Sequence, residues 1–348
     1  MYIYNKLIYS SLVLFGVVTI IFILFNIIPS DPAKMMLGDR DNQKQLTLIN
    51  KKYHFDEPLF YQYLYYINDL SPISLIWLDK QEFKYIQLIS FNSCSIILKY
   101  PYLRQSFYQR NVNVSTLIFN ALPNTFILAF SSILLAFIIG LPLGLLAASF
   151  KGRFLDQFIT SVSVLGMSLP SFFSAVLIAY IFAYKMRDFT NLNITGSLFI
   201  IDDLGRGSIL SLKNLILPTL TLAIRPLSVI VNLTRTSLID EMSSDYILLA
   251  RSKGLSKMYV LIFHALPNSM SSVVTAISGW FAGLLSGAVF VEYIFGWHGL
   301  GKLLVDGLVN MDFPLVMGII LVISSCFVII NILVDLVYIW LDPRVKIY

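Results

Sequence analysis

Residues 234–268 read TRTSLIDEMSSDYILLARSKGLSKMYVLIFHALPN and lie between two long apolar runs, Asn214–Leu233 and Ser269–Val291. A simple pore or gradient-driven carrier has no general need for a polar, helix-patterned insert of this size at such a place. Ser243 or Ser244 is positioned to cap a helix, and Asp245 falls in its first turn, where the positive helix end favours an anion. Arg251 and Lys253 fall in the last turn, and Gly254 suits the left-handed residue that follows a helix end. The pattern predicts a short helix over Asp245–Lys253 that stops sharply. Tyr246, Leu249 and Ala250 share one face at helical spacing, and an apolar face on an isolated short helix calls for a partner groove.

The rest of the chain supplies the setting. Of its 348 residues 57% are hydrophobic and 13% are charged, against about 25% charged in a soluble domain. Mean hydropathy is +0.76. Much of such a chain has lipid as its solvent. Six segments are long and apolar enough to cross the hydrocarbon core: Leu7–Ile28, a crossing within Leu117–Phe150, Phe158–Tyr184, Asn214–Leu233, Ser269–Val291 and Phe313–Ile339. The second run exceeds one straight crossing, which puts its first turns, around Pro123, in the interface. No small-residue cleavage pattern follows the first run, so it reads as a retained helix and not as a removed signal.

Short connections set the orientation. Lys151 and Arg153, then Arg235, Arg251, Lys253 and Lys257, then Arg344 and Lys346 fall on one side together with the N-terminus, which places both termini in the cytoplasm. Lys185, Arg187, Arg206 and Lys213 on the opposite side count against this. The chain then divides into a first transmembrane helix (1–29), an extracytoplasmic segment expected to fold as an outer cap (30–116), a transmembrane core (117–340) containing the cytoplasmic loop 234–268, and a tail (341–348). The net charge of +5 and pI near 9.0 follow from the positive-inside bias and need no nucleic-acid partner, since no dense basic patch occurs. Cys94 and Cys326 fall in different predicted compartments, which argues against a disulfide or thiolate site.

The run Ala250-Arg-Ser-Lys-Gly254 followed by His264-Ala-Leu-Pro-Asn268 resembles the “EAA” loop of binding-protein-dependent ABC importer permeases. Leu248-Leu249-Ala250 stands where that family has Glu-Ala-Ala, so the glutamate is absent, while Gly254 and Leu266-Pro267 match. Ile28-Pro-Ser-Asp-Pro-Ala33, Asp56-Glu-Pro58 with Gln62-Tyr63, Leu122-Pro-Asn-Thr125, Val291-Glu-Tyr-Ile-Phe-Gly-Trp297 with Gly299-Leu-Gly301, and Asp342-Pro-Arg344 are similar to the oligopeptide/dipeptide permease B type. The resemblance covers the chain apart from Ile73–Tyr100, which has the look of an insertion. It implies an all-α type I importer permease whose coupling helix, Asp245, Tyr246, Leu249, Ala250, Arg251, Lys253 and Gly254, seats in an ATPase subunit. It also implies a homologous second permease as heterodimer partner, two ABC ATPases that use the ATP, an extracytoplasmic solute-binding protein, and no cofactor bound by this chain. Peptides are the first expectation for the solute, with nickel complexes, opines and glycosides open.

Other residues carry a functional and a plainer reading side by side. Gly296-Trp-His-Gly-Leu-Gly-Lys302 imitates a phosphate loop but continues with Leu303 in place of Ser or Thr, so a tight re-entrant turn is the better reading. Ser271, Thr275, Gly279, Gly283 and Gly287 recur every four residues, the pattern of close helix packing or of a face on the translocation path. Arg225, inside the fourth run, either lines the path and attracts a carboxylate, or snorkels, or pairs with a neighbouring subunit. Asp335 is expected to be solvated or paired with Arg344. Glu292, Asp306 and Asp312 flank the outer gate region, and a solvated face is expected for both aspartates. His54, His264 and His298 are too dispersed for a metal, and no catalytic constellation supports an enzyme. The rival class is a channel or ion-gradient-driven carrier, which would place acids in its spans. The first three spans hold none.

Overall fold

The computed structural model describes residues 2–27, 47, 50–51, 53–77, 85–90, 94–109, 111–201 and 207–341. The expected motifs at Ile28–Ala33 and Asp342–Arg344, and the 342–348 tail, lie outside them. Among the described residues five helices are long and apolar enough to cross a membrane, or six if one bent pair counts as a single span. The long helices are α1 (Tyr2–Ile27), α3 (Val114–Ser149), α6 (Lys213–Glu241), α8 (Leu266–Gly287) and α11 (Phe313–Leu341). The bent pair is α4 (Phe154–Ser168) with α5 (Ser171–Ile178), which continues as a π-helical turn over Ala179–Lys185. Shorter helices are α2 (Leu59–Leu70), α7 (Asp245–Ser252), α9 (Val289–Ile294) and α10 (Leu300–Val309).

The third expected crossing is therefore not one straight helix. Its halves meet at 105°, because Pro170 lacks a backbone donor and excludes the helical region for the residue before it. Leu169 is accordingly extended, at φ −75° and ψ 131°. The second run is one 36-residue helix with Pro123 and Pro142 inside it. At 1.5 Å per residue it is about 54 Å long and overhangs a core of about 30 Å.

The spans are helical as expected, but two of the connections also contain strands. The stretch set apart as an insertion folds as a three-stranded antiparallel sheet, β1 (Ile73–Trp77), β2 (Tyr85–Ser90) and β3 (Cys94–Lys99), in the order β1-β3-β2. Its pairing aligns Ile73 and Ile86 with Leu98 on either side. A hairpin, β4 (Phe199–Ile201) with β5 (Ser208–Leu210), forms in the excursion before α6. These segments are rich in isoleucine and other strand formers, which suit a pleated surface better than a helix.

The chain divides into two compact units, Met1–Lys6 with Ala121–Leu303 and Ile323–Tyr348, and Leu7–Asn120 with Leu304–Val322. The first is organised on α6, whose apolar window is 61% buried against 17% for α1. Close packing comes from glycines on the neighbours of α6. A Cβ added at Gly144 of α3 would lie 2.6 Å from Thr234 Cβ and 2.8 Å from the Val231 carbonyl, and one at Gly166 of α4 would lie 2.9 Å from Ser228 Oγ. A core of Leu128, Ile133, Ile178, Leu217, Phe295 and Trp297 completes this unit. Near the chain's ends Asp335 pairs with Lys6, whose ammonium also donates to the Asn331 carbonyl. The expected partner Arg344 lies outside the described residues.

In the second unit Asp312 is 1% exposed, which overturns the solvated face expected for it. It stands just before α11 and accepts from Ser106 Oγ, from the Phe107 amide at 3.0 Å and from the Leu315 amide at 3.4 Å. A carboxylate at a helix start satisfies otherwise orphaned donors, and here it also fastens the 106–108 turn.

Candidate functional site

The loop between α6 and α8 forms the expected helix, α7, over Asp245–Ser252. Gly254 sits at φ +81° beyond its end, with its amide donating to the Arg251 carbonyl at 2.9 Å. Ser244 holds the cap position with extended backbone, but its hydroxyl makes no cap bond and points back to Glu241 Oε2 at 3.4 Å. The cap function expected of it is not realised.

The face of α7 also divides differently. Ile247 and Ala250 are buried, in a cluster with Ala148 of α3, Leu238 of α6, and Val260, Leu261 and Ala265 of the return segment. Ala250 therefore belongs to this chain's own core and not to a face it shares with Tyr246 and Leu249. The outward residues are Leu248, 73% exposed, and Leu249, 58% exposed, with Asp245, Arg251, Lys253 and Gly254 also exposed. Tyr246 stands at the boundary, and its hydroxyl is a junction. It donates to Glu241 Oε2 at 2.5 Å at the end of α6 and accepts from Asn268 Nδ2 at 2.9 Å at the start of α8. Burial and the neighbouring Glu241 carboxylate push its phenol above the ordinary range. The return segment begins with a short helix, Lys257–Val260, capped by Ser256, whose Oγ accepts from the Tyr259 amide at 3.4 Å. Lys257 Nζ donates at 2.8 Å to the Ser149 carbonyl at the end of α3, the place where a cation offsets the helix dipole.

One link close to this loop was not foreseen. Arg235, counted in the sequence only as a loop cation, makes a two-pronged pair with Asp156, Nε to Oδ1 and Nη2 to Oδ2 at 2.8 Å. Asp156 is 1% exposed and also accepts from the Gly152 amide at 2.8 Å. The fork geometry gives such a pair its strength, and it fixes the start of α4 to the last turns of α6. An acid at the start of an apolar helix was the only sequence signal.

Beyond α8 the glycine-rich stretch is a tight turn, and Glu292 is its centre. The carboxyl is fully buried. Oε1 accepts from Thr125 Oγ1 at 2.7 Å, and Oε2 accepts from the Gly301 and Lys302 amides at 2.7 and 3.2 Å. Thr125 Oγ1 in turn accepts from the Leu300 amide at 2.7 Å, and Trp297 Nε1 donates to the Asn124 carbonyl at 3.0 Å. A Cβ at Gly299 would strike the Glu292 carboxyl and one at Gly301 would come within 2.5 Å of Val289 Cα, so both glycines are required by close approach. Burial pushes the Glu292 carboxyl up to about 7, against the three donors that favour its charge. The stretch is thus the tight turn that the missing Ser/Thr suggested, and it is folded around a buried acid that the sequence did not reveal.

Arg225 is exposed although it lies midway along α6, and its guanidinium rests over the Trp280 ring of α8 at 5.7 Å. Among the described residues it has no acidic partner. A Cβ added at Gly279 or Gly283 meets nothing within 4 Å, so these two glycines are not required by close helix approach among the described residues. Gly287 ends α8. Among the described residues no three or more His, Cys, Asp or Glu converge as metal ligands do.

Apolar helices that cross, break and return, with a helical elbow between two of them, have the build of a transport permease. The chain belongs to the family described as “Binding-protein-dependent transport system inner membrane component”, whose pattern matches residues 140–347, with the N-terminal component of the same systems matching residues 1–129. It is the transmembrane subunit of an ATP-binding-cassette importer, a multi-pass inner-membrane transport protein and not an enzyme. The probable D,D-dipeptide transport system permease DdpB of Escherichia coli K12 is 33% identical, over 96% of this chain and 94% of its own. The dipeptide transport system permease DppB of Bacillus subtilis is 31% identical over 95% and 93%. The glutathione transport system permease GsiC of Escherichia coli K12 is 28% identical over 99% and 98%. The MetNI methionine ABC transporter shares the fold, with a TM-score of 0.54 at 15% identity, over 66% of this chain and 97% of that one.

Proposed function

We propose that the chain forms, together with a homologous second permease, the path by which peptides or solutes of similar size move inward, driven by two ABC ATPase subunits that use ATP and supplied by an extracytoplasmic solute-binding protein. Both termini and α7 then lie in the cytoplasm, and the 30–116 segment lies outside. The observation that carries this reading is α7 itself, which offers Leu248, Leu249, Arg251 and Lys253 outward while its other face is built into the chain's core. The dipeptide and glutathione systems of its relatives support a peptide solute. Since Leu248 occupies the place of the family's glutamate, the grip of the ATPase on α7 rests here on apolar contact edged by cations.

ATP-driven closure of the ATPases would move α7 and, through its buried face, α3 and α6. Arg225, exposed over Trp280, the residue next to Gly279 in α8, would meet a solute carboxylate, with Gly279, Gly283 and Gly287 along the same path. The test is purification of the co-expressed complex in lipid, comparing wild type with Leu249→Glu. Leu249 is 58% exposed, so the chain should still insert, while the ATPase subunits should be lost or their solute-stimulated turnover abolished. Unchanged attachment and turnover would overturn the assignment of α7.

A further inference from the structure

Within the 30–116 segment, expected to fold as an outer cap, α2 does not have the surface of a solvated helix. Its exposed residues are Leu59, Phe60, Tyr61 and Leu64, and its one ionisable acid, Asp69, lies in the last turn and pairs with Arg104 at 3.1 Å. Phe60, Tyr61 and Leu64 share one side of the helix, whereas Tyr63 and Tyr66, on the side to which Leu59 also belongs by helical spacing, rest on α1. Tyr66 is 5% exposed and stacks on Phe22 with centroids 5.8 Å apart, and Tyr63 meets the same ring at 5.2 Å. The Tyr63 hydroxyl is 2.5 Å from Thr19 Oγ1.

These contacts set a depth. The apolar run that opens the chain is Leu7–Ile28, closed by Pro29, and at 1.5 Å per residue it is long enough as a helix to fill the hydrocarbon core of about 30 Å. Phe22, the ring on which Tyr63 and Tyr66 rest, lies about 9 Å short of its C-terminal end on the same rise. Interfacial helices bury their apolar faces about 5–10 Å below the headgroups, and aromatic residues gather at that level. On α1 itself Ile20, Ile23 and Leu24 are exposed and form the lipid-facing surface alongside.

We infer that α2 is an interfacial helix embedded in the leaflet at the C-terminal end of α1, with Phe60, Tyr61 and Leu64 in contact with lipid acyl chains. The inference rests on α1 being a crossing, and the orientation proposed above makes the leaflet the outer one. The helix then anchors the sheet that follows it to the membrane surface.

Spin labels placed one at a time at Phe60→Cys and Leu64→Cys, with Cys94→Ser and Cys326→Ser as background, test this in the full chain co-expressed with its partners and reconstituted in liposomes. Labels at Ile23→Cys and Asp56→Cys serve as lipid and water references. Collision with oxygen, which partitions into lipid, should exceed collision with a water-soluble nickel chelate, as at Ile23, giving a ratio several-fold above that at Asp56. A ratio like that at Asp56 would overturn the inference. So would low collision with both reagents, which would assign the face to a neighbouring protein. Water-like collision at Ile23 would refute the crossing of α1 and the inference with it, whereas ATPase attachment, read on the same samples, reports separately on α7.

Discussion

Replacing Glu292 with alanine leaves the Thr125 hydroxyl and the Gly301 and Lys302 amides without their acceptor in a fully buried site. An unsatisfied buried donor costs about 1–3 kcal/mol, so the loss of three should total about 3–9 kcal/mol for the turn. Glutamine is the informative contrast. Its carbonyl can still accept from the two amides, but its NH2, in the place of Oε1, cannot accept from the Thr125 hydroxyl, whose proton is left without that acceptor. One bond is lost, at about 1–2 kcal/mol. The acid also imposes a pH dependence. Its pKa rises from an ordinary 4.5 to about 7 through burial, so the native state keeps the proton where the unfolded chain has lost it. Unfolding between those values releases a proton, and stability falls as pH rises across that window. At about 1.36 kcal/mol per pKa unit the interval amounts to about 3 kcal/mol. Thermal unfolding of the purified complex in lipid, followed by tryptophan fluorescence at pH 5 and pH 8, gives the comparison. Wild type should be the more stable at the lower pH by this term, and Glu292→Gln should lose the term. An alanine variant as stable as wild type, or a glutamine variant with the full pH dependence, would refute the reasoning.

Asp156→Asn should destabilise by about 3–5 kcal/mol, the usual result of removing one partner of a buried pair, and proteolysis should report it as cleavage near 150–153. Gly144→Ala drives a methyl against Thr234 and the Val231 carbonyl and should lower thermal stability sharply. Gly283→Ala, with open space at the added carbon, should leave stability unchanged, and a drop in uptake alone would mark that face as working surface. Gly254→Ala should cost about 1 kcal/mol for its positive φ, measured by thermal unfolding. Tyr246→Phe removes the bonds to Glu241 and Asn268 and should loosen α7, read as faster hydrogen exchange over Asp245–Ser252.

The spans and α7 were legible because each is written in local terms: long uncharged runs, first-turn and last-turn charges, and a terminal glycine. What escaped is what depends on partners distant in sequence. Nothing near Ala250 tells that it turns inward with Ile247 while Leu248 and Leu249 turn out, because a two-turn helix has apolar residues on more than one side. Asp312 reads as a solvated acid until Ser106 and the Phe107 amide are brought to it. Asp156 and Arg235 are ordinary charges in sequence, and only the packing of α4 on α6 makes them a buried pair. The bend at Leu169 was written in Pro170, but a long apolar run masked it. The sheet at 73–99 escaped because the stretch was marked only by its lack of family resemblance, and the pairing of β1 and β2 with β3 joins residues up to about 25 apart in sequence.

The seating of Ile247 and Ala250 among Ala148, Leu238, Val260, Leu261 and Ala265 has a mechanical side. Protein interiors are nearly incompressible on this scale, so α7 is no hinged flap. A push on Leu248 or Leu249 reaches the ends of α3 and α6 with little slack, as a handle forged in one piece with its shaft moves the shaft. Carving slack into that joint, by Ile247→Ala for example, would let the motor stroke while the load stays still. The symptom would be ATP consumed without cargo moved.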